Sequence, residues 1–174
     1  MADTKIAYGT PVTVTMTGIE DIDASSSLIG GWTSNSVTNT SDKMLDYLVG
    51  GQFTLESATQ QAGQILVYVY AAWTTTPVWP DIFATGTEGT VGAATIADTE
   101  ERDACMRLGA VLVGDATASA VLAFAPFSVA QLFGGVVPPL WAIWVTGNTA
   151  TSTNDLFVAS GTALYVQPVY TTTV

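Results

Sequence analysis

The chain contains no histidine and one cysteine, and only four of its 174 residues are Lys or Arg. Each shortage removes a class of chemistry. Without imidazole there is no histidine general base and no zinc site of the Cys/His type. One thiol cannot form a disulfide within the chain. Four cations against fifteen acids leave a formal charge of -11, and a surface of that sign cannot neutralise phosphates, so DNA and RNA are not expected partners. Met1 to Ile6 lacks a basic segment running into an apolar one, which argues against a signal peptide, and a single thiol suits synthesis in a reducing cytosol. Long apolar runs are missing too. The stretch from Ala116 to Asn154 is uncharged, but Pro126, Gly134-Gly135 and Pro138-Pro139 break it up. No span of about 20 apolar residues survives, and no membrane segment is expected.

What remains is apolar and threonine-rich. Hydrophobic residues make up 48% of the chain and charged residues 11%, against about 25% charged in an average soluble protein. β-Branched and aromatic residues suit pleated sheets, while sixteen glycines and seven prolines mark turns. Val12, Val14 and Met16 alternate with Thr13, Thr15 and Thr17, a strand with one apolar face. Phe53 and Leu55 alternate with polar neighbours in the same way. Ile65–Tyr70 is apolar without a break, as in a strand buried on both faces. Gly86–Ala94 can carry a short edge strand. Ala104–Val113, Ser119–Phe124, Leu140–Thr146, Leu156–Val158 and Thr162–Tyr170 complete the set. Pro168 argues that the last strand lies at an edge or ends in a bulge.

One helical signal stands out. Ser128 with Gln131 three residues later has capping-box spacing, and Gly134 follows where a helix ends, so a short turn is expected over Val129–Phe133. About eight strands with no βα alternation and no internal repeat predict an all-β, single-domain β-sandwich over residues 1–174, jelly-roll-like. Residues 1–10 are expected to form an extended N-terminal arm, free to reach a neighbour.

Candidate chemistry is sparse. Cys105 has no base and reads as a small, semi-buried apolar residue. Glu20, Asp21 and Asp23 do not match the spacing of a calcium loop, and Glu100, Glu101 and Asp103 read as a solvated loop. Two carboxylates suffice to hydrolyse a glycoside, and Trp73 and Trp79 with Asp81 could stack and hold a sugar. None of the Gly-Gly pairs has phosphate-loop spacing. No metal, cofactor or enzymatic activity is expected. Trp141 and Trp144 lie three apart on one strand and must point to opposite faces. Several strands are apolar on both faces, yet a two-layer sandwich shields one face of each sheet. Subunit contacts are the expected cover.

Two segments carry a resemblance: Pro126–Pro139 (PFSVAQLFGGVVPP) and Trp141–Thr149 (WAIWVTGNT), with Tyr47–Thr54 and Val67–Tyr70 of the same type. They resemble small structural proteins of tailed bacteriophage virions, although no histidine precedes Asn148. The resemblance implies a non-enzymatic head decoration, or cement, protein on the capsid surface, made in the host cytoplasm. Its partners would be the major capsid protein and other copies of itself, as a dimer or trimer. Phe127, Leu132, Phe133, Pro138, Pro139, Trp73, Trp79 and Trp144 are the candidate interface residues. A tail or connector component, or a glycan-binding virion module, is the alternative.

Overall fold

The computed structural model describes residues 3–41, 43–56, 63–74, 76, 78–114, 117, 119–148 and 155–173. The strands are β1 (Thr4–Tyr8), β2 (Val12–Thr13), β3 (Gly30–Thr33), β4 (Val37–Thr38), β5 (Asp46–Thr54), β6 (Gln64–Ala72), β7 (Gly92–Thr95), β8 (Met106–Val113), β9 (Val121–Ser128), β10 (Leu140–Asn148) and β11 (Ala163–Thr173), with helices α1 (Thr99–Cys105) and α2 (Val129–Leu132). All pairing between them is antiparallel. One sheet has the order β1-β11-β5-β9, with β2 also on β11; the other has β7-β3-β10-β6-β8, with β4 also on β10. Without the short β2, β4 and β7, first strand lies beside last and the chain crosses between sheets at almost every step. This is the winding of a jelly roll, as the strand count and turn spacing predict.

The first core fills the space between the sheets. Val49 and Phe53 of β5 and Leu164 and Val166 of β11 face Val67 and Val69 of β6 and Trp141 and Ile143 of β10. A second cluster lies on the outer face of the second sheet. There Leu66, Tyr68, Tyr70, Ala142 and Trp144 are covered by Ile82, Phe83, Ala94 and Ile96, which belong to the long excursion between β6 and β8. Trp141 and Trp144 therefore do point to opposite faces, each fully buried. The cover that was expected from a partner subunit comes from the chain itself for β6 and β10.

The excursion is fastened by polar groups. The Tyr70 hydroxyl accepts the Gly89 N–H at 2.8 Å and shares a 2.6 Å hydrogen bond with the Thr33 hydroxyl. The Glu88 carboxylate accepts the N–H groups of Ile82 and Phe83 at 2.9 and 2.7 Å. Gly89 has φ +71, and a Cβ there would sit 2.6 Å from the Trp79 ring, so this turn requires glycine. Arg102 lies over the Tyr68 ring at 5.8 Å and donates to the Leu28 carbonyl.

Several local readings change. The N-terminal segment is not a free arm: Thr4–Tyr8 pairs with Thr173–Val169 along the sheet edge, while residues 1 and 2 lie outside the described residues. The strand expected over Val12–Thr17 shortens to Val12–Thr13. Leu156–Val158 supplies only an isolated bridge, from Phe157 to Leu55, next to one from Asp155 to Asp23. Pro168 lies in an interior strand rather than at an edge. Its carbonyl accepts from Gly9, so its missing N–H faces the interruption between β1 and β2, where no ladder partner is due. β9 does bulge opposite Val49–Gly51, at Ala125 and Pro126. The run read as a strand from Ala104 begins instead with α1. Asp98 caps that helix by accepting the Glu101 N–H at 3.0 Å.

The turn predicted over Val129–Phe133 is present, over Val129–Leu132. The Ser128 hydroxyl accepts the Gln131 N–H, and the Gly135 N–H reaches back to the Ala130 carbonyl at 2.7 Å around Gly134, φ +75. This is the Schellman closure. Gly109 marks where the two sheets meet at their β8 and β9 edges. It is the extra residue of a bulge opposite Val67–Tyr68, and a Cβ there would fall 2.4 Å from the Phe127 ring.

Two outcomes follow from these contacts. Gly109→Ala is expected to destabilise the fold by about 1–3 kcal/mol through overpacking, measured by urea unfolding. Burial pushes the Tyr70 hydroxyl pKa up to about 12 from the ordinary 10, against the lowering effect of its Thr33 and Gly89 hydrogen bonds. Its contribution is complete below pH 10 and is lost as pH rises toward 12, because only the unfolded chain ionises readily in that window. Thermal melts across this range are expected to show a steep alkaline loss of stability that Tyr70→Phe flattens.

Candidate functional site

At one end of the second sheet the registers bring three element ends together. β6 closes at Ala71–Ala72, opposite Trp141–Leu140 at the start of β10. β8 opens at Met106, opposite Tyr70. α1 runs directly into β8, and the loop after α2 delivers Val136–Pro139 into β10. The result is a surface groove of ≈ 400 Å³ lined by Ala71, Ala72, Trp73, Pro80, Ala104, Cys105, Arg107, Phe133, Val136, Val137, Pro138 and Pro139. That volume lies in the range of about 300–1,000 Å³ found for small-ligand sites.

Its walls are stiff. The Schellman turn fixes Phe133, Pro138 and Pro139 have fixed φ, and the Pro139 carbonyl is held by the Asn39 N–H at 2.8 Å. Trp73 stands at the rim, 85% exposed, and Val136 is also exposed. Arg107 is the one charged residue in the lining among the described residues. Its guanidinium donates to the carbonyls of Ala104 and Met106, both at 3.1 Å. These bonds hold the arginine across the junction, on the Ala104 carbonyl in the last turn of α1 and the Met106 carbonyl at the start of β8. Cys105 is half-buried beside it as a free thiol.

The groove gathers Trp73, Phe133, Pro138 and Pro139 from the set singled out in the sequence. It leaves out the others. Trp79 is half-buried, with its ring 5.3 Å from Tyr70, and lies outside the groove that Trp73 borders. Phe127 stacks on Phe124 at 6.1 Å and covers Gly109. Leu132 packs against the first core. Trp144 is wholly enclosed in the second cluster, against Tyr68 and Phe83, and offers nothing to a partner. Cys105, Arg107 and Val136 were missed. For Cys105 and Arg107 the available signal was the Asp98–Glu101 capping spacing: it starts a helix at Thr99, which must give way to the apolar alternation of β8 close to these two residues.

Exposed apolar side chains also mark both edges of the sandwich. Ile6, Tyr8 and Val12 lie along the β1 and β2 edge; Leu108, Val111 and Val113 of β8 and Val121 of β9 lie along the other. β1, β8 and β9 each pair on one side only, and edges of this kind are natural contact surfaces. Among the described residues, no group of three or more Cys, Asp or Glu gathers to hold a metal ion, so Glu20, Asp21 and Asp23 form no such cluster. No described helix is long and apolar enough to cross a membrane.

No protein-family model matches the chain, and neither a curated protein nor a solved structure matches it.

The two tryptophans grouped together by sequence are expected to separate on mutation. Trp73→Ala leaves the unfolding free energy within about 0.5 kcal/mol of wild type, whereas Trp144→Ala costs about 3–5 kcal/mol. Parallel denaturant titrations check both.

Proposed function

We propose that this protein is a non-enzymatic structural component of a tailed-phage virion, a head decoration protein that docks on the assembled major capsid shell. The observation that carries the reading is the rigid apolar groove with exposed Trp73 at its rim. A surface of large aromatic and proline side chains held by fixed backbone loses little entropy on docking, and such anchors dominate protein interfaces. The apolar edges of the sandwich favour lateral contact with further copies or with neighbouring shell subunits. A jelly roll is a frequent architecture among viral capsid proteins, although that fold also serves unrelated functions. The acidic balance of the chain keeps it off packaged DNA and soluble at high copy number.

Purified protein is expected to co-sediment with heads assembled from the major capsid protein of the phage or prophage that carries this sequence. Its copy number should approach that of the major capsid protein. Trp73→Ala is expected to weaken this binding at least tenfold. Protein that stays in the supernatant at every concentration, or that fractionates with tails in a few copies, would overturn the head assignment.

A further inference from the structure

The groove is apolar but not uniformly so. Among the described residues Arg107 is the charged group in its lining, in a chain with only four basic residues. Arg102 is committed to Asp103 at 2.8 Å, and Lys5 is exposed on β1, in the other sheet. Among the described residues Arg107 has no carboxylate within ion-pair distance, although fifteen acids are present in the sequence. Its hydrogen bonds to Ala104 and Met106 both use Nη1 and both go to carbonyl oxygens. The remaining donors of the fork point to no acceptor in those bonds, and the fork geometry matches a carboxylate.

Resting on the docking role above, we propose that the groove takes an acidic apolar segment of the partner protein, its aromatic or branched side chains against Trp73, Phe133 and Pro138 and its Asp or Glu carboxylate on Arg107. The exposed Leu108 and Val111 of β8 do not extend the groove: they lie opposite Tyr68 and Leu66 on the outer side of the sheet, whereas Arg107 lies opposite Val69 on its inner side. The occupant is therefore a short segment, since ≈ 400 Å³ of aromatic and proline wall around one guanidinium holds a few side chains and one carboxylate. Charge selects the sign of the partner: a basic segment meets Arg107 unfavourably, and a neutral one leaves the arginine desolvated without an acceptor.

The probe is the blocked tripeptide acetyl-Phe-Leu-Asp-amide against its acetyl-Phe-Leu-Asn-amide counterpart, titrated into the full chain. Cys105 provides the readout, since the thiol lies in the lining and an occupant slows its alkylation by a maleimide. The Asp peptide is expected to protect Cys105 at concentrations at least tenfold lower than the Asn peptide. Arg107→Ala is expected to erase that preference, Arg107→Lys to restore part of it, and Trp73→Ala to weaken both peptides alike. Arg107 also closes the end of α1, so a loss of stability in the variants is separate from the Asp/Asn ratio, which is read on folded protein. Equal protection by the two peptides, no protection by either, or a preference that survives Arg107→Ala would each overturn the proposal. Shell binding that depends on Trp73 without any Asp preference would sink this inference and leave the docking role standing. An Arg107-dependent Asp preference with no shell binding would do the reverse.

Discussion

Two strands apolar on both faces set the terms for the whole molecule. β6 and β10 pair over their full length, from Leu140 opposite Ala72 to Asn148 opposite Gln64. A two-layer sandwich shields only their inner side. The outer side carries Tyr68, Tyr70 and Trp144, side chains too large to leave in water without cost. The chain answers by laying the segment between β6 and β8 across them as a third layer. Everything distinctive about the fold descends from that choice. It includes the Tyr70 hydroxyl that holds the Gly89 turn, the Glu88 clamp on Ile82 and Phe83, and the helix that brings the chain back to the sheet at Met106.

The sequence made the sandwich legible because sheet physics is written locally. Alternation in Phe53–Leu55, continuous apolar runs at Ile65–Tyr70 and Leu140–Val145, and turn residues between them are properties of neighbours. The helix at Val129 was legible for the same reason, since Ser128, Gln131 and Gly134 are close neighbours in the sequence. What covers the outer face was not legible, because Ile82, Phe83 and Ile96 meet Trp144 only through tertiary folding. The same limit explains why Trp79 and Trp144 looked like surface anchors. Aromatic identity says that a residue needs company, but not whether that company is in the same chain. α1 was different: the Asp98–Glu101 spacing that starts it is local, yet it was passed over, and the apolar alternation from Ala104 was read as strand.

The groove is a by-product of the third layer. It lies where the covering segment leaves β6, where α1 hands over to β8, and where the α2 loop enters β10. No single element builds it, and no motif announces it. Its lining residues come from distant parts of the chain, and only the antiparallel registers bring Ala72, Arg107 and Pro139 to the same end of the sheet. An arginine in that position is an economical way to give direction to an apolar surface. In a chain so poor in cations, one fixed guanidinium contributes most of the local polarity.

The pairing of first strand with last has a mechanical side. Thr4 lies opposite Thr173 at the outer end of the β1–β11 ladder. Tension drawn between these two points opens the ladder one rung at a time, as a zipper opens. Tension drawn between either point and the groove runs across the sandwich to the second sheet, where the strands must slide past one another and many bonds share the force. Held at the groove, the molecule is gripped on its shear-resistant side, and the seam that peels most easily stays out of the path of the load.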